Sequence, residues 1–126
     1  MKTVKAHAAL ALALFFNAGC AALLVGAGAA GGYAISRDSI KNNFDLPPSK
    51  IFAASRRIAQ QEGLVTLEDE KHGLIKTKVE GANVVITVRR LTTKTVELKV
   101  SARNEVLLPK IEIAQAIYNE IFELLK

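Results

Sequence analysis

The spacing of apolar residues divides the chain into an N-terminal hydrophobic segment and a folded C-terminal part. No charged residue occurs between Lys5 and Arg37. From residue 47 to residue 126 the apolar positions instead follow the periods of helices and strands. Residues 37–46, between the two parts, are mostly polar, and this composition predicts a linker there.

Two amphipathic helices are predicted in the folded part. The first begins within residues 46–49 (LPPS), where a proline suits the first turn, and ends at Gly63. Ser55 interrupts its apolar stripe, but the hydroxyl can bond to a carbonyl of the preceding turn. The second helix runs from near Pro109 almost to Lys126. The stripe predicted to face the core in the first helix is Ile51, Ala54 and Ile58, with Phe52 and Ala59 beside it. In the second helix it is Ile113, Ile117, Ile121 and Leu124, flanked by Ala114, Tyr118 and Leu125.

Four strands are predicted at 64–68, 74–79, 84–90 and 95–101, each bounded by turn residues. Alternation is clearest in the last two, so one face of the sheet should be apolar and the other polar. The apolar face is predicted to carry Val65, Leu67, Ile75, Val79, Val84, Ile86, Val88, Val96, Leu98 and Val100. The opposite face is predicted to carry Glu68, Lys76, Lys78, Thr87, Arg89, Glu97 and Lys99.

These elements have a simple packing solution, because both helices can cover the apolar face of the sheet. The sequence therefore predicts an α+β fold, a two-layer sandwich in the order αββββα. A four-stranded antiparallel meander forms one layer and the two helices form the other. Residues 47–126 are predicted to be this single domain.

Composition narrows the class of function. The formal net charge of +5 at pH 7 is too small to indicate nucleic-acid binding, and the chain has no tryptophan for base stacking. His7 and His72 are the two histidines and Cys20 is the single cysteine, so no set of them has metal-ligand spacing. No nucleophile can be paired with a base and an orienting acid. We expect a protein that is not an enzyme and that uses no metal or cofactor.

One polar surface is a candidate for binding. Lys76, Lys78, Arg89 and Lys99 share the polar face of the predicted sheet with threonines and two glutamates. Such a face could recognise an acidic partner or the phosphates of a lipid. The alternative is that charges of both signs on neighbouring strands only stabilise the sheet and keep it in solution.

Cys20 follows the pattern of a bacterial secretory signal peptide. A basic start, an apolar run over 6–16 and small residues before Cys20 predict such a peptide at 1–19. A cysteine at the first mature position is the residue that lipoprotein processing acylates, so Cys20 is predicted to be lipidated. Asn17 departs from this pattern, because lipoprotein signals usually carry leucine there. Residues 20–36 would then be a lipidated, Gly/Ala-rich segment next to the membrane.

Two other fates of this segment are open, an uncleaved signal anchor and ordinary cleavage at a small-residue site. Residues 6–36 are long enough to cross a bilayer. Gly28 and Gly32 are four residues apart, a spacing that lets two membrane helices approach closely. An uncleaved helix is therefore predicted to oligomerise through these two glycines. The alternative is a flexible tether, because Gly-rich segments form poor helices in water.

The whole chain resembles an uncharacterised family of small Gram-negative lipoproteins, catalogued as a domain of unknown function. The resemblance rests on residues 19–24 (GCAALL), on the Gly/Ala run that follows and on the helix–meander–helix body. It implies a location in the cell envelope and supplies no activity and no site residue beyond Cys20. In lipoproteins of that type, Ala21 after a lipidated cysteine implies sorting to the outer membrane, facing the periplasm.

These features predict a lipoprotein that acyl chains such as palmitate hold in the membrane. Its predicted task is non-catalytic binding, as an accessory or structural component of the envelope, with membrane lipid and an envelope protein as partners. One alternative is a small periplasmic carrier or sensor that binds a lipid or another ligand between sheet and helices. The other is a bitopic membrane protein that oligomerises through its Gly/Ala helix.

Overall fold

The structure, a computed structural model, describes residues 34–126. Within them the chain forms six strands and two helices. The strands are β1 (Ala34–Ile35), β2 (Ser39–Phe44), β3 (Leu64–Asp69), β4 (Leu74–Val79), β5 (Ala82–Arg90) and β6 (Val96–Arg103). The helices are α1 (Pro48–Glu62), between β2 and β3, and α2 (Ile111–Leu125), after β6.

All six strands belong to one antiparallel sheet with the order β1-β2-β6-β5-β4-β3. Strands β3 to β6 follow one another as hairpins, so the predicted meander is present as the larger part of the sheet. β2 extends the meander at its β6 edge, where it pairs with β6 from Ser39↔Ser101 to Phe44↔Val96. The fold is therefore α+β with a six-stranded sheet, and the predicted number of four strands is wrong.

The prediction of a linker at 37–46 is also wrong, because β2 occupies most of that segment. Ile40 and Asn42 are buried, and Phe44 packs against the core. The Asn42 side-chain amide donates a hydrogen bond to the Tyr118 hydroxyl of α2, with 2.6 Å between nitrogen and oxygen. A buried amide at the middle inward position interrupts the apolar alternation, so the segment has the composition of a polar linker.

Both helices lie on the same face of the sheet, as predicted. α1 contacts β3, β4 and β5, α2 contacts β2 and β6, and the helices contact each other. Ser55 donates a hydrogen bond to the Ile51 carbonyl at 2.8 Å, which confirms the predicted bond to the preceding turn. The largest fully buried side chains come from both layers and include Ile40, Ile51, Ile75, Ile86, Leu98, Ile117 and Ile121.

The buried side of α2 is displaced from the predicted stripe. Ile117 and Ile121 are buried as predicted, but Ile113 is only half-buried and Leu124 is exposed. The buried positions of this helix are Ala114, Ile117, Tyr118, Ile121 and Leu125. Ala114, Tyr118 and Leu125, which were predicted to flank the stripe, are therefore part of the buried side, and the Tyr118 hydroxyl accepts a hydrogen bond there from Asn42 of β2.

Candidate binding surface

The two helices cover one face of the sheet, and in the described part of the chain the other face has no layer over it. Cross-strand pairing arranges its outward residues in rows across the strands. We call this surface the open face. Its members are Ala34, Ser39, Lys41, Asn43, Leu64, Leu67, Asp69, Leu74, Lys76, Lys78, Asn83, Val85, Thr87, Arg89, Glu97, Lys99, Ser101 and Arg103.

All four predicted binding residues lie on the open face. Lys76 and Lys78 are on β4, Arg89 is on β5 and Lys99 is on β6. The Arg89 guanidinium pairs with Glu97 at 3.2 Å, and the Lys78 ammonium lies 3.8 Å from the Glu105 carboxylate. Among the ion pairs of residues 34–126, none involves Lys76 or Lys99. The structure therefore places the four on one surface, two in ion pairs and two outside them.

Lys41 also belongs to this surface, although the sequence did not indicate it. It lies directly opposite Lys99 in the β2–β6 pairing. Residues directly opposite in an antiparallel pair have Cβ atoms about 5 Å apart, and like charges there destabilise the sheet. No ion pair within the described residues involves Lys41. Two adjacent lysines therefore share one row of the open face outside any ion pair of the described residues, and Lys99 is near enough to Asp38 to help lower the pKa of that carboxyl.

A β-bulge at Thr66 corrects two predictions for β3. The pairing shifts between Val65 and Leu67, so Leu67 points to the open face, where it is exposed, instead of to the core. Glu68 points to the helix side instead of the open face and pairs with Arg56 of α1 at 3.2 Å. An extra residue in one strand reverses the side on which later residues lie, and alternation alone does not reveal it.

The bulge also gives the open face an apolar margin. Leu64 and Leu67 are exposed on the edge strand β3, and Leu74 and Val85 are half-buried beside them. The lysines of β4 stand among these side chains, with Lys76 between Val85 and Leu67 in the pairing. Cationic and apolar groups are therefore mixed on the same surface.

Arg103, the last residue of β6, forms an ion pair with Asp38 in the turn between β1 and β2. Its Nε donates a hydrogen bond to the Asp38 carboxylate at 2.6 Å. This hydrogen bond, with the positive charge of the guanidinium, lowers the pKa of the Asp38 carboxyl below its ordinary value. Asp38 is therefore ionised at neutral pH and neutralises the charge of Arg103, so Arg103 adds little to the cationic character of the open face.

His72 lies in the turn between β3 and β4. Its Nδ1 is 2.7 Å from the Asp69 carboxylate, and its backbone N–H donates to the other Asp69 oxygen at 3.2 Å. The side-chain hydrogen bond to His72 lowers the pKa of Asp69. Ser49 borders the same shallow depression of about 450 Å³, but within the described chain no hydrogen bond joins its hydroxyl to His72. The geometry accounts for His72 as a residue that closes the turn.

The remaining predicted site residues, Cys20, Gly28 and Gly32, lie outside the described residues. Within residues 34–126, no group of three or more His, Cys, Asp or Glu side chains is arranged to hold a metal ion. None of the helices in that range is both long enough and apolar enough to span a bilayer.

Comparison with known protein families identifies the family of this chain. The model of the protein family of unknown function DUF3568 matches residues 3–103, which is most of the sequence. The chain belongs to this family. The matched part of this DUF3568 protein includes Cys20 and all six strands, whereas α2 lies beyond it. No curated protein matches the chain.

Proposed function

We propose that this DUF3568 protein is a lipid-anchored component of the bacterial cell envelope that binds an acidic protein partner through the open face. Cys20 would carry the acyl groups, and the folded domain would face the periplasm from the outer membrane. The protein would act without catalysis, as an accessory or structural component. The order of small residues, Cys20 and the preceding apolar run supports the anchor.

The pairing of Lys41 with Lys99 is the observation that carries the binding proposal. The two lysines are directly opposite each other in one row, and Lys76 lies one row away on a strand about 10 Å from β6. This arrangement costs stability in the isolated protein, since like charges face each other. An acidic group placed over the lysines would turn that repulsion into attraction.

The apolar margin favours a protein over a small anion as the occupant. Protein interfaces combine charge complementarity, which sets specificity and association rate, with apolar contact that excludes water. Leu64 and Leu67 supply exposed apolar area beside the lysines of β4. A small anion would use the lysines and leave the leucines in water.

Nothing in the geometry favours the alternative of a carrier with a ligand between sheet and helices. The large side chains of both layers meet there, and Ile51, Ile86 and Ile117 are at most 2 % exposed. Every buried side-chain nitrogen or oxygen of the described residues has a hydrogen-bond partner. The three depressions described for this domain are open hollows at its surface.

The anchor is tested by the intact mass of the protein extracted from membranes. We expect a mass equal to residues 20–126 plus acyl groups, and we expect Cys20→Ser to lose the acyl mass and the cleavage together, because the thiol is the site of acylation. Ala21→Ser is the matched control and should leave the mass of the acyl groups unchanged. A full precursor mass would contradict the anchor and favour the bitopic alternative, and an unmodified cleaved chain would contradict it as well.

The open face is tested by photo-crosslinking in intact envelopes. A photoreactive residue at Thr87, in the same row as Lys41 and Lys99, should give a discrete adduct with an acidic protein. The adduct should disappear in Lys41→Gln/Lys99→Gln, whose free energy of unfolding should stay equal or rise by about 0.2–1 kcal/mol as the repulsion is removed.

A photoreactive residue at Arg57, exposed on α1, is the control position. The same adduct from both positions would show that the contact is not specific to the open face. No adduct from Thr87, or an adduct that survives the loss of both lysines, would also contradict the proposal.

A further inference from the structure

The loop between β6 and α2 presents three consecutive large apolar side chains to solvent. Val106, Leu107 and Leu108 are exposed by 73 %, 68 % and 58 %. The other exposed large apolar residues within residues 34–126 occur singly along the chain. Single exposed apolar residues are normal on a protein surface, but a contiguous group of them marks an interaction site.

Hydrogen bonds within the loop hold these three residues in place. The Asn104 side-chain oxygen accepts from the backbone N–H of Val106 at 3.1 Å and of Leu108 at 2.9 Å. The Leu107 N–H donates to the Asn104 carbonyl at 3.0 Å, and Arg103 and Pro109 pair at the base of the loop. All three backbone N–H groups of the tip are therefore already bonded inside the loop.

Leu107 has a backbone conformation that its side chain does not favour. Its φ is +63°, in the left-handed region that glycine and asparagine adopt readily and leucine adopts at a cost. Because the side chain is exposed, packing in the domain does not offset that cost. The hydrogen bond from the Leu107 N–H to the Asn104 carbonyl holds this conformation, so the loop itself keeps the leucine side chain in solvent.

Cationic groups flank the apolar tip. Leu107 borders one shallow depression together with Arg37 and Arg103, and Lys110 follows the loop. Arg103 is neutralised by Asp38, and the nearby Glu105 pairs with Lys78. Within the described residues no ion pair involves Arg37 or Lys110, so these two cations are available to an external anion.

We propose that Val106, Leu107 and Leu108 insert into the surface of a lipid bilayer, while Arg37 and Lys110 contact anionic headgroups. A segment that enters a bilayer must have its backbone polar groups satisfied, and the three N–H groups are bonded within the loop. Among the described residues no hydrogen bond reaches the Val106 or Leu107 carbonyl, so the insertion is shallow and leaves these two oxygens at the level of the headgroups. Apolar side chains flanked by lysine or arginine are the composition of interfacial membrane contacts. The inference rests on the proposed attachment to a membrane, and it adds a second contact that fixes the orientation of the domain.

The absence of tryptophan from the chain provides a direct test. Val106→Trp places one fluorophore at the tip, and Leu91→Trp places one in the exposed turn at the opposite end of β6. The full-length protein is extracted from membranes and reconstituted into vesicles of phosphatidylethanolamine and phosphatidylglycerol. We expect the emission of Val106→Trp to move to shorter wavelengths and to be quenched by lipids brominated on their acyl chains. We expect Leu91→Trp to keep an aqueous emission.

The double substitution Leu107→Asn/Leu108→Asn separates a membrane role of the two leucines from a structural one. Asparagine tolerates the left-handed conformation, so the urea midpoint should stay unchanged or rise. Quenching of Val106→Trp should decrease, because the ratio of inserted to free loop should fall about tenfold for each leucine removed. A lower urea midpoint with unchanged quenching would assign the leucines to the fold and overturn the proposal.

An aqueous emission of Val106→Trp in the vesicles would also overturn the proposal, and would leave a protein groove as the occupant of the tip. The intact mass reports acylation of Cys20 separately. If the acyl groups are absent but the tip is quenched, the loop contact stands and the lipid anchor fails.

Discussion

Replacement of Gly73 by alanine is expected to remove most of the stability of the domain. Gly73 has a φ of +63°, which costs a residue with a Cβ about 1–2 kcal/mol. An added Cβ would also lie 2.0 Å from the backbone carbonyl oxygen of Val88 in β5. That oxygen cannot rotate away, so the β4–β5 pairing would have to shift. We expect the free energy of unfolding to fall by more than about 4 kcal/mol, which approaches the whole stability of a small domain.

Two other glycines separate the causes of this loss. Gly81, in the turn between β4 and β5, has a φ of +76° and nothing within 4 Å of an added Cβ, so Gly81→Ala should cost only about 1–2 kcal/mol. Gly63 has an extended backbone, but its added Cβ would lie 2.0 Å from the Lys78 carbonyl oxygen. Gly63→Ala therefore tests close approach alone.

The measurement is urea unfolding of the full-length protein in mild detergent, followed by circular dichroism. An equal loss for Gly73→Ala and Gly81→Ala would show that the approach of Val88 does not matter and would contradict this reading of the turn.

The spacing of apolar residues predicted those strands and helices that have one regular apolar side. The hairpins of β3 to β6 and both helices were found because apolar residues recur there at periods of two or near four. β2 was missed because its inward positions are Ile40, Asn42 and Phe44, and the amide finds its partner only when Tyr118 folds over it. A tertiary hydrogen bond between residues 76 positions apart has no local signal in the sequence.

The candidate surface was predicted only in part for the same reason. Alternation along β4, β5 and β6 placed Lys76, Lys78, Arg89 and Lys99 on one side correctly. The position of Lys41 on this surface depends on β2, which the sequence did not predict, so Lys41 could not be identified as a member. The apolar tip of the loop before α2 was also missed, because its exposure depends on the hydrogen bonds that Asn104 makes within the loop.

The two proposed contacts are compatible in one arrangement, because both lie on β6. Lys99 is four residues from Arg103, which is about 14 Å along a strand, and the loop begins directly after Arg103. A domain with the tip in the bilayer would stand with this end of the sheet at the headgroups. The open face would then extend away from the bilayer, and an acidic partner on Lys41 and Lys99 would lie close to the membrane.

Ile40→Ala tests the strand that the sequence did not predict. Ile40 is fully buried between sheet and helices, and Ile35 lies directly opposite it on β1 with 53 % of its surface exposed. Loss of buried methyl groups leaves a cavity, so we expect Ile40→Ala to lower the free energy of unfolding by about 2–5 kcal/mol. Ile35→Ala, the matched control, should change it by less than about 0.5 kcal/mol.

Urea unfolding of both variants under identical conditions measures the difference. If residues 37–46 were a linker outside the core, both substitutions would have the same small effect, and β2 would contribute nothing to the sheet. A large loss for Ile40→Ala alone would show that the domain includes β2, which reduces the connection between Cys20 and the folded domain to residues 21–33. If Cys20 carries the proposed acyl groups, this shorter connection would keep the loop within reach of the bilayer, as the proposed insertion requires.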